Sequence, residues 1–187
     1  MDAMIIVHMQ TLLHDGLPKL DLTGVIDRIN QLAALIRRQS GAIIWIQHCG
    51  KDGGKSDASQ MKWPLLPELD QQASDILVET TLNDAFAGTE LQSTLEALAP
   101  DRVLIAGWAT DFCVDATVRS AVSKDYNVVA VSDGHTLNDR PHLPAPDVIR
   151  HHNWVWSNLI TNASIRVVSA AELLGEYAQP IETIPRA

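Results

Sequence analysis

Short runs of apolar residues alternate along the chain with segments whose apolar positions recur every three or four residues. The runs predict buried strands at residues 3–9, 42–48, 75–79, 102–107, 126–133 and 164–169. The recurring positions predict helices over residues 21–40, 89–99, 110–125, 146–160 and 170–177. Apolar strands separated by helices are typical of a parallel sheet covered on both faces. The pattern therefore predicts a doubly wound α/β fold.

The length of the chain suits one domain, which we expect to span residues 1–187. Ligands of such sheets bind outside the carboxyl ends of the strands. Those ends lie near His8, His48 and the turn at residues 107–113. The segment 49–70 has no periodicity, and long loops in compact domains are often functional, so we expect it to border the same cleft.

Charge and composition narrow the range of partners. The formal charge is −9 and the 14 Lys and Arg residues are scattered, which disfavours nucleic acid. No apolar run approaches the length of a membrane span, and the opening MDAMIIVHMQ lacks the features of a secretory signal. We therefore expect a cytoplasmic protein that binds neither nucleic acid nor a membrane, in which Cys49 and Cys113 are free thiols.

The stretch GWATDFCVDAT, residues 107–117, places Cys113 where a helix begins directly after a buried strand. Unpaired N–H groups at a helix start lower the pKa of a thiol and can hold an oxyanion. A cysteine here is equally well explained as a small buried side chain, which is what most buried cysteines are. Spacing alone leaves both interpretations open.

Several motifs in order resemble the cysteine hydrolases of the isochorismatase-like superfamily. GWATDFCVDAT is similar to the segment that carries the nucleophile, and SDGH follows it on the next strand. AMIIVHMQ is similar to the opening strand of that family, and NDAFAGTELQSTL to its central segment. The resemblance covers nearly the whole chain.

The resemblance implies a Rossmann-like three-layer α/β/α domain with a six-stranded parallel sheet, assembled as a homodimer or a higher homo-oligomer. It implies a small-molecule substrate and an Asp–Lys–Cys triad that cleaves an amide-type C–N bond of that substrate through a thioester, with Cys113 as nucleophile. A cis peptide is implied at Trp108–Ala109. The N–H groups of Ala109 and Cys113 would then form the oxyanion hole.

Two positions depart from the family pattern. Where the family has the Asp that acts as base, this chain has His8. Where the family has its Lys, this chain has Thr80, or Glu79 if the alignment shifts by one residue. Threonine carries no charge, and a glutamate beside the thiolate would raise its pKa.

Three hypotheses follow for the chemistry. In the first, His8 and Cys113 form a dyad in which the imidazole takes the thiol proton. In the second, the activity is lost and the protein binds a small molecule or a protein partner. In the third, another residue is the base, the candidates being His48, Asp111, Lys51, Lys55 and Lys62.

Four residues are predicted to bind substrate, because ligand sites favour aromatic walls near the strand ends: Trp108, Phe86, His48 and Trp63. The segment IQHCGKDGG lacks the Asp-x-His pattern by which nicotinamidases of this superfamily bind a metal, so we expect no metal. No Gly-x-Gly-x-x-Gly follows the first strand, so we expect no dinucleotide and no other cofactor.

Overall fold

The computed structural model describes residues 1–51 and 60–178. Its strands are β1 (Asp2–Val7), β2 (Ala42–Lys51), β3 (Gln60–Lys62), β4 (Ile76–Thr80), β5 (Arg102–Trp108), β6 (Val128–Thr136) and β7 (Ile165–Val168). Its helices are α1 (Leu22–Arg38), α2 (Leu91–Leu98), α3 (Asp115–Ser123), α4 (Ala145–Ser157) and α5 (Ala170–Ala178). The six strands and five helices expected from the apolar pattern are all present.

Six strands form one parallel sheet in the order β4-β2-β1-β5-β6-β7. Counted along the chain, this is the order 3-2-1-4-5-6 of the Rossmann-like doubly wound fold. The expected three-layer α/β/α fold is confirmed. The short strand β3 pairs antiparallel with the end of β2 and was not predicted, because three residues are too few to show a periodic pattern.

Each face of the sheet is covered by its own apolar layer. Alternate residues of β1 point to opposite sides, so Met4 packs with α1 and α5. Ile5 packs on the other side with α2, α3 and Trp156 of α4. In the part of the chain that the structure describes, no helix is both long and apolar enough to cross a membrane.

Gly107 lies where β5 comes closest to β1. Its φ is +129°, and a Cβ at this position would lie 2.2 Å from the carbonyl oxygen of Val7. A side chain therefore fits neither the backbone conformation nor the space between the strands. Gly175 is a contrasting case, since a Cβ there would meet nothing within 4 Å on the exposed side of α5.

We predict that Gly107→Ala lowers the free energy of unfolding by at least about 2 kcal/mol, because the strands must separate to admit the methyl group. Gly175→Ala is the matched control and is expected to stabilise α5 by up to about 1 kcal/mol. Urea denaturation of both variants measures the difference. Equal stability of the two variants would contradict the packing described for Gly107.

Candidate active site

The candidate site lies where the strand order reverses, between β1 and β5. Val7 stands opposite Gly107 at the carboxyl ends of these strands. His8 follows β1 directly, and Ala109 and Cys113 follow β5. Open α/β sheets bind ligands at this reversal, because the connections leave in opposite directions and a crevice opens between them.

Cys113 lies in a wide helical turn, residues Thr110–Val114, which joins β5 to α3. The peptide bond between Trp108 and Ala109 is cis, as the resemblance implied. The N–H groups of Phe112 and Val114 both donate to the carbonyl oxygen of Ala109, each at 3.1 Å. These bonds fix the backbone on both sides of the cysteine.

The Cys113 thiol is buried and uncharged at rest. Burial raises its pKa to about 11, the Ala109 backbone N–H acts against this rise, and the Asp111 carboxylate adds to it. The thiol donates to Oδ1 of Asn83 across 3.5 Å. A neutral thiol therefore faces the site until something removes its proton.

His8 is the second buried group of the site. It is 2% exposed and has a φ of +49°, an uncommon conformation for a residue other than glycine. Burial, with a smaller effect of His48, lowers the pKa of His8 to about 3, so the imidazole is neutral near pH 7. Its Nε2 is buried and has no hydrogen-bond partner among the residues that the structure describes. A neutral imidazole retains a lone pair that can accept a proton.

A cavity of about 340 Å³ joins these groups. Its lining residues are His8, Leu12, His48, Trp63, Asn83, Trp108, Ala109, Phe112 and Cys113. The structure thus brings together six of the eight site residues predicted from the sequence. Only Thr80 and Phe86 are absent from the lining.

These two residues, and Glu79, lie elsewhere. Thr80 is 3% exposed, and its hydroxyl bonds to the backbone N–H and carbonyl of Leu82 at 3.1 and 3.2 Å. Glu79 is exposed and borders a different surface cavity. Phe86 packs in the core with its ring 6.0 Å from that of Tyr126, so it forms no wall of the site.

Sequence reasoning missed three lining residues, Leu12, Asn83 and Phe112. Asn83 could have been found, because it follows the carboxyl end of β4 as His8 follows β1. Leu12 and Phe112 gave no comparable signal. Phe112 lies next to the nucleophile but belongs to a turn whose wide geometry the helical pattern does not indicate.

Gln10 fixes one wall of the cavity. Its side-chain amide donates to the carbonyl oxygens of Trp63 at 2.7 Å and of His48 at 3.1 Å. Its Oε1 accepts from the N–H of His48 at 2.8 Å. The rings of His48 and Trp63 stack with centroids 6.1 Å apart, and His8 meets His48 edge-on at 5.3 Å. The buried amide of Gln10 therefore connects β2, at His48, to Trp63, which follows β3.

A chain of hydrogen bonds links α4, through His135 of β6, to Thr110 in the turn that holds Cys113. Asn153 donates to the carbonyl oxygen of Ser132 at 2.9 Å, so its own oxygen accepts from Nε2 of His135 at 3.0 Å. Nδ1 of His135 must then accept from the Thr110 hydroxyl at 2.9 Å. Burial lowers the pKa of His135 to about 4, which keeps this arrangement neutral.

Of the alternative bases, His48 lines the cavity beside His8, whereas Asp111 is bound to Arg140. Asp111 accepts two hydrogen bonds from Arg140, at 2.8 and 2.6 Å. Burial acts to raise the pKa of Asp111, but the bonds and charge of Arg140 outweigh it and hold that pKa low. Lys55 lies outside the described residues, as do the side chains of Lys51 and Lys62.

The donor set around the cavity is poor in metal ligands. His8 and His48 contact each other, but within residues 1–51 and 60–178 no group of three or more His, Cys, Asp and Glu side chains could hold a metal ion. The absence of a metal stays a prediction for the whole chain.

Fold and site together define a doubly wound α/β protein with a cysteine at the reversal of strand order. A family model, the isochorismatase domain, matches residues 2–145. The chain therefore belongs to the isochorismatase domain family. This agrees with the resemblance carried by its motifs.

Related proteins include streptothricin hydrolase of Streptomyces noursei, which is 28% identical over 147 residues. That match covers 78% of this chain and 52% of the relative, so the chain spans about half the length of the relative. Ureidoacrylate amidohydrolase RutB of Agrobacterium fabrum is 32% identical over 88 residues, 47% of this chain and 36% of the relative.

Two solved structures share the fold. A protein of the isochorismatase family is 28% identical, with a TM-score of 0.77 over 90% of this chain and 98% of the other. A cysteine hydrolase of Pseudomonas syringae pv. phaseolicola 1448A has a TM-score of 0.79, with 94% and 92% of the two chains covered. At 21% identity the second likeness concerns the fold alone.

We predict that Cys113 alkylates slowly near pH 7 and that its rate rises about tenfold per pH unit, without a plateau, up to pH 9.5. The reason is the burial that holds the thiol pKa near 11. Iodoacetamide kinetics in a Cys49→Ser background measure it. A plateau below pH 8 that His8→Ala abolishes would instead show a resting thiolate paired with imidazolium.

We also predict that stability falls as the pH drops from 6.5 to 4. The pKa of His135 is about 4 in the folded protein and about 6.5 when unfolded, so the unfolded chain binds more protons in this window. His135 alone accounts for a loss of about 3 kcal/mol. Urea denaturation at pH 7.5, 5.5 and 4.5 measures it.

The matched variants for this titration are His135→Gln and His142→Gln. His135→Gln is expected to reduce the loss of unfolding free energy between pH 6.5 and 4 by about 3 kcal/mol, while the part that comes from His8 remains. His142 lies on an exposed loop, so its replacement is the control for removing a histidine outside this hydrogen-bond chain. An unchanged slope in His135→Gln would contradict the buried neutral histidine.

Proposed function

We propose that this protein is a hydrolase of small amide-type C–N bonds, with Cys113 as nucleophile and His8 as base. The observation that carries the proposal is the shared cavity at the strand reversal, which His8, Ala109 and Cys113 all line. The amidohydrolase among the related proteins supports the reaction class.

In the first half of the reaction, Cys113 Sγ attacks the amide carbonyl as the thiol proton passes to the His8 imidazole. The carbonyl oxygen gains the negative charge and accepts from the N–H groups of Ala109 and Cys113. When the carbonyl re-forms, the C–N bond breaks, and the amine leaves with the proton from His8. A thioester remains on the cysteine.

In the second half, water attacks the thioester and gives a proton to His8. The C–S bond breaks, Cys113 recovers its proton from the imidazolium, and the acid is released. His8 therefore carries one proton in each half-reaction and ends neutral, as it began.

Proton transfer must accompany bond formation in this site. The pKa of the Cys113 thiol is near 11 and that of His8 near 3, so a thiolate–imidazolium pair is disfavoured before the substrate binds. The thiol proton is therefore transferred as sulfur attacks the carbonyl carbon. The negative charge then develops on the carbonyl oxygen, which the backbone N–H groups stabilise.

The second candidate function is a binding protein without catalysis. The same two pKa values favour it, because neither group is activated at rest. The position of Thr80 favours it too, since its hydroxyl is occupied by Leu82 and it does not line the cavity. Such a protein would bind a small molecule in the same cavity and leave it unchanged.

Assay of a panel of small amides for amine release distinguishes the two. For the hydrolase we expect turnover by the wild type, loss to background in Cys113→Ala, and a fall in kcat of about 100-fold or more in His8→Ala. Cys49→Ser is the control, since Cys49 does not line the cavity. A wild type that binds amides without turnover would favour the binding protein.

A further inference from the structure

The cavity has no charged side chain among the described residues that line it. Three are large aromatic residues, Trp63, Trp108 and Phe112, and Leu12 adds an aliphatic surface. Asn83 contributes the one side-chain amide of the lining. Aromatic faces and edges of this kind favour flat ligands, which can pack against them over a large area.

The two imidazoles of the lining add no charge near pH 7. Burial, together with His48, holds the pKa of His8 at about 3. Burial also lowers the pKa of His48 itself. Because Cys113 is an uncharged thiol at rest, the described lining as a whole is neutral.

The ion pair next to the cavity is already satisfied. Asp111 and Arg140 bind each other through two hydrogen bonds, at 2.8 and 2.6 Å. The guanidinium of Arg140 also lies 5.0 Å from the centre of the Phe112 ring. Both side chains therefore spend their strongest hydrogen bonds on each other, and neither is among the residues that line the cavity.

These features discriminate between ligands by charge. A carboxylate or ammonium that enters the cavity gives up its hydration and meets no opposite charge on the described lining, which is costly. An uncharged flat molecule loses little hydration and buries its apolar faces against the rings.

We propose that the substrate of this cavity is an uncharged, planar amide, with an aryl or otherwise conjugated acyl group lying against Trp63, Trp108 and Phe112. The proposal rests on the proposed function, since it names the class of amide that the hydrolase would cleave. It makes a separate claim about binding, which can be tested without catalysis.

The test is calorimetric titration of the Cys113→Ala protein with four probes that differ in charge or shape. They are benzamide, 4-carbamoylbenzoate, 4-(aminomethyl)benzamide and cyclohexanecarboxamide. We expect benzamide to bind at least about tenfold more tightly than the two charged analogues and also more tightly than the puckered ring. Tighter binding of either charged analogue, or no binding of benzamide, would overturn the proposal.

A charge placed in the wall provides a second measurement. Leu12→Glu, made in the Cys113→Ala protein, adds a carboxylate to the lining and is expected to reverse the order in favour of 4-(aminomethyl)benzamide. Leu17→Glu is the matched control, because Leu17 is exposed and outside the lining. An unchanged order in Leu12→Glu would show that the probes bind elsewhere and would overturn the proposal.

The two proposals fail separately. Binding is read in a protein that lacks the nucleophile, so absent turnover in the wild type leaves the binding result intact and contradicts only the hydrolase. Turnover of a charged amide by the wild type, together with a preference of the Cys113→Ala protein for charged probes, contradicts only the neutral substrate class.

Discussion

The close approach of β1 and β5 is the constraint on which the site depends. Only a glycine at position 107 lets the end of β5 lie against the Val7 carbonyl, where a Cβ would come within 2.2 Å. That contact sets the separation between His8, which leaves one strand, and the turn that holds Cys113, which leaves the other. The remaining contacts then fix the two sides of the site, with Gln10 binding His48 and Trp63 and His135 binding Thr110.

The two sides of the site are held by different means. Gln10 binds backbone groups of His48 and Trp63 directly, and the side-chain amide of Gln47 also donates to the Trp63 carbonyl oxygen at 2.8 Å, so side-chain amides hold this wall. The turn at Cys113 depends instead on a chain that runs from α4 through His135 to Thr110. Both sets of hydrogen bonds join neutral groups, and each fixes one side of the cavity.

The pattern of apolar residues predicted the fold, because each buried strand is a continuous apolar run and each helix has apolar positions every three or four residues. The site was predicted in part, since the strand ends indicate His8, His48 and Cys113 without any knowledge of packing. Phe86 was misplaced because an aromatic residue looks the same in sequence whether it packs in a core or lines a cavity. The neutrality of His8 and the pairing of Asp111 with Arg140 arise from burial and long-range contact, which no local pattern records.

The contacts of Thr80 limit which side chains position 80 can accept. Its hydroxyl closes a local turn with Leu82, and the side chain is almost fully buried. A lysine at this position would lose both bonds and would have to bury its long stem and its charge. A lysine at position 80 would therefore require a rebuilt loop after β4. A single substitution there does not by itself bring an ammonium group to the cavity, which Thr80 does not line.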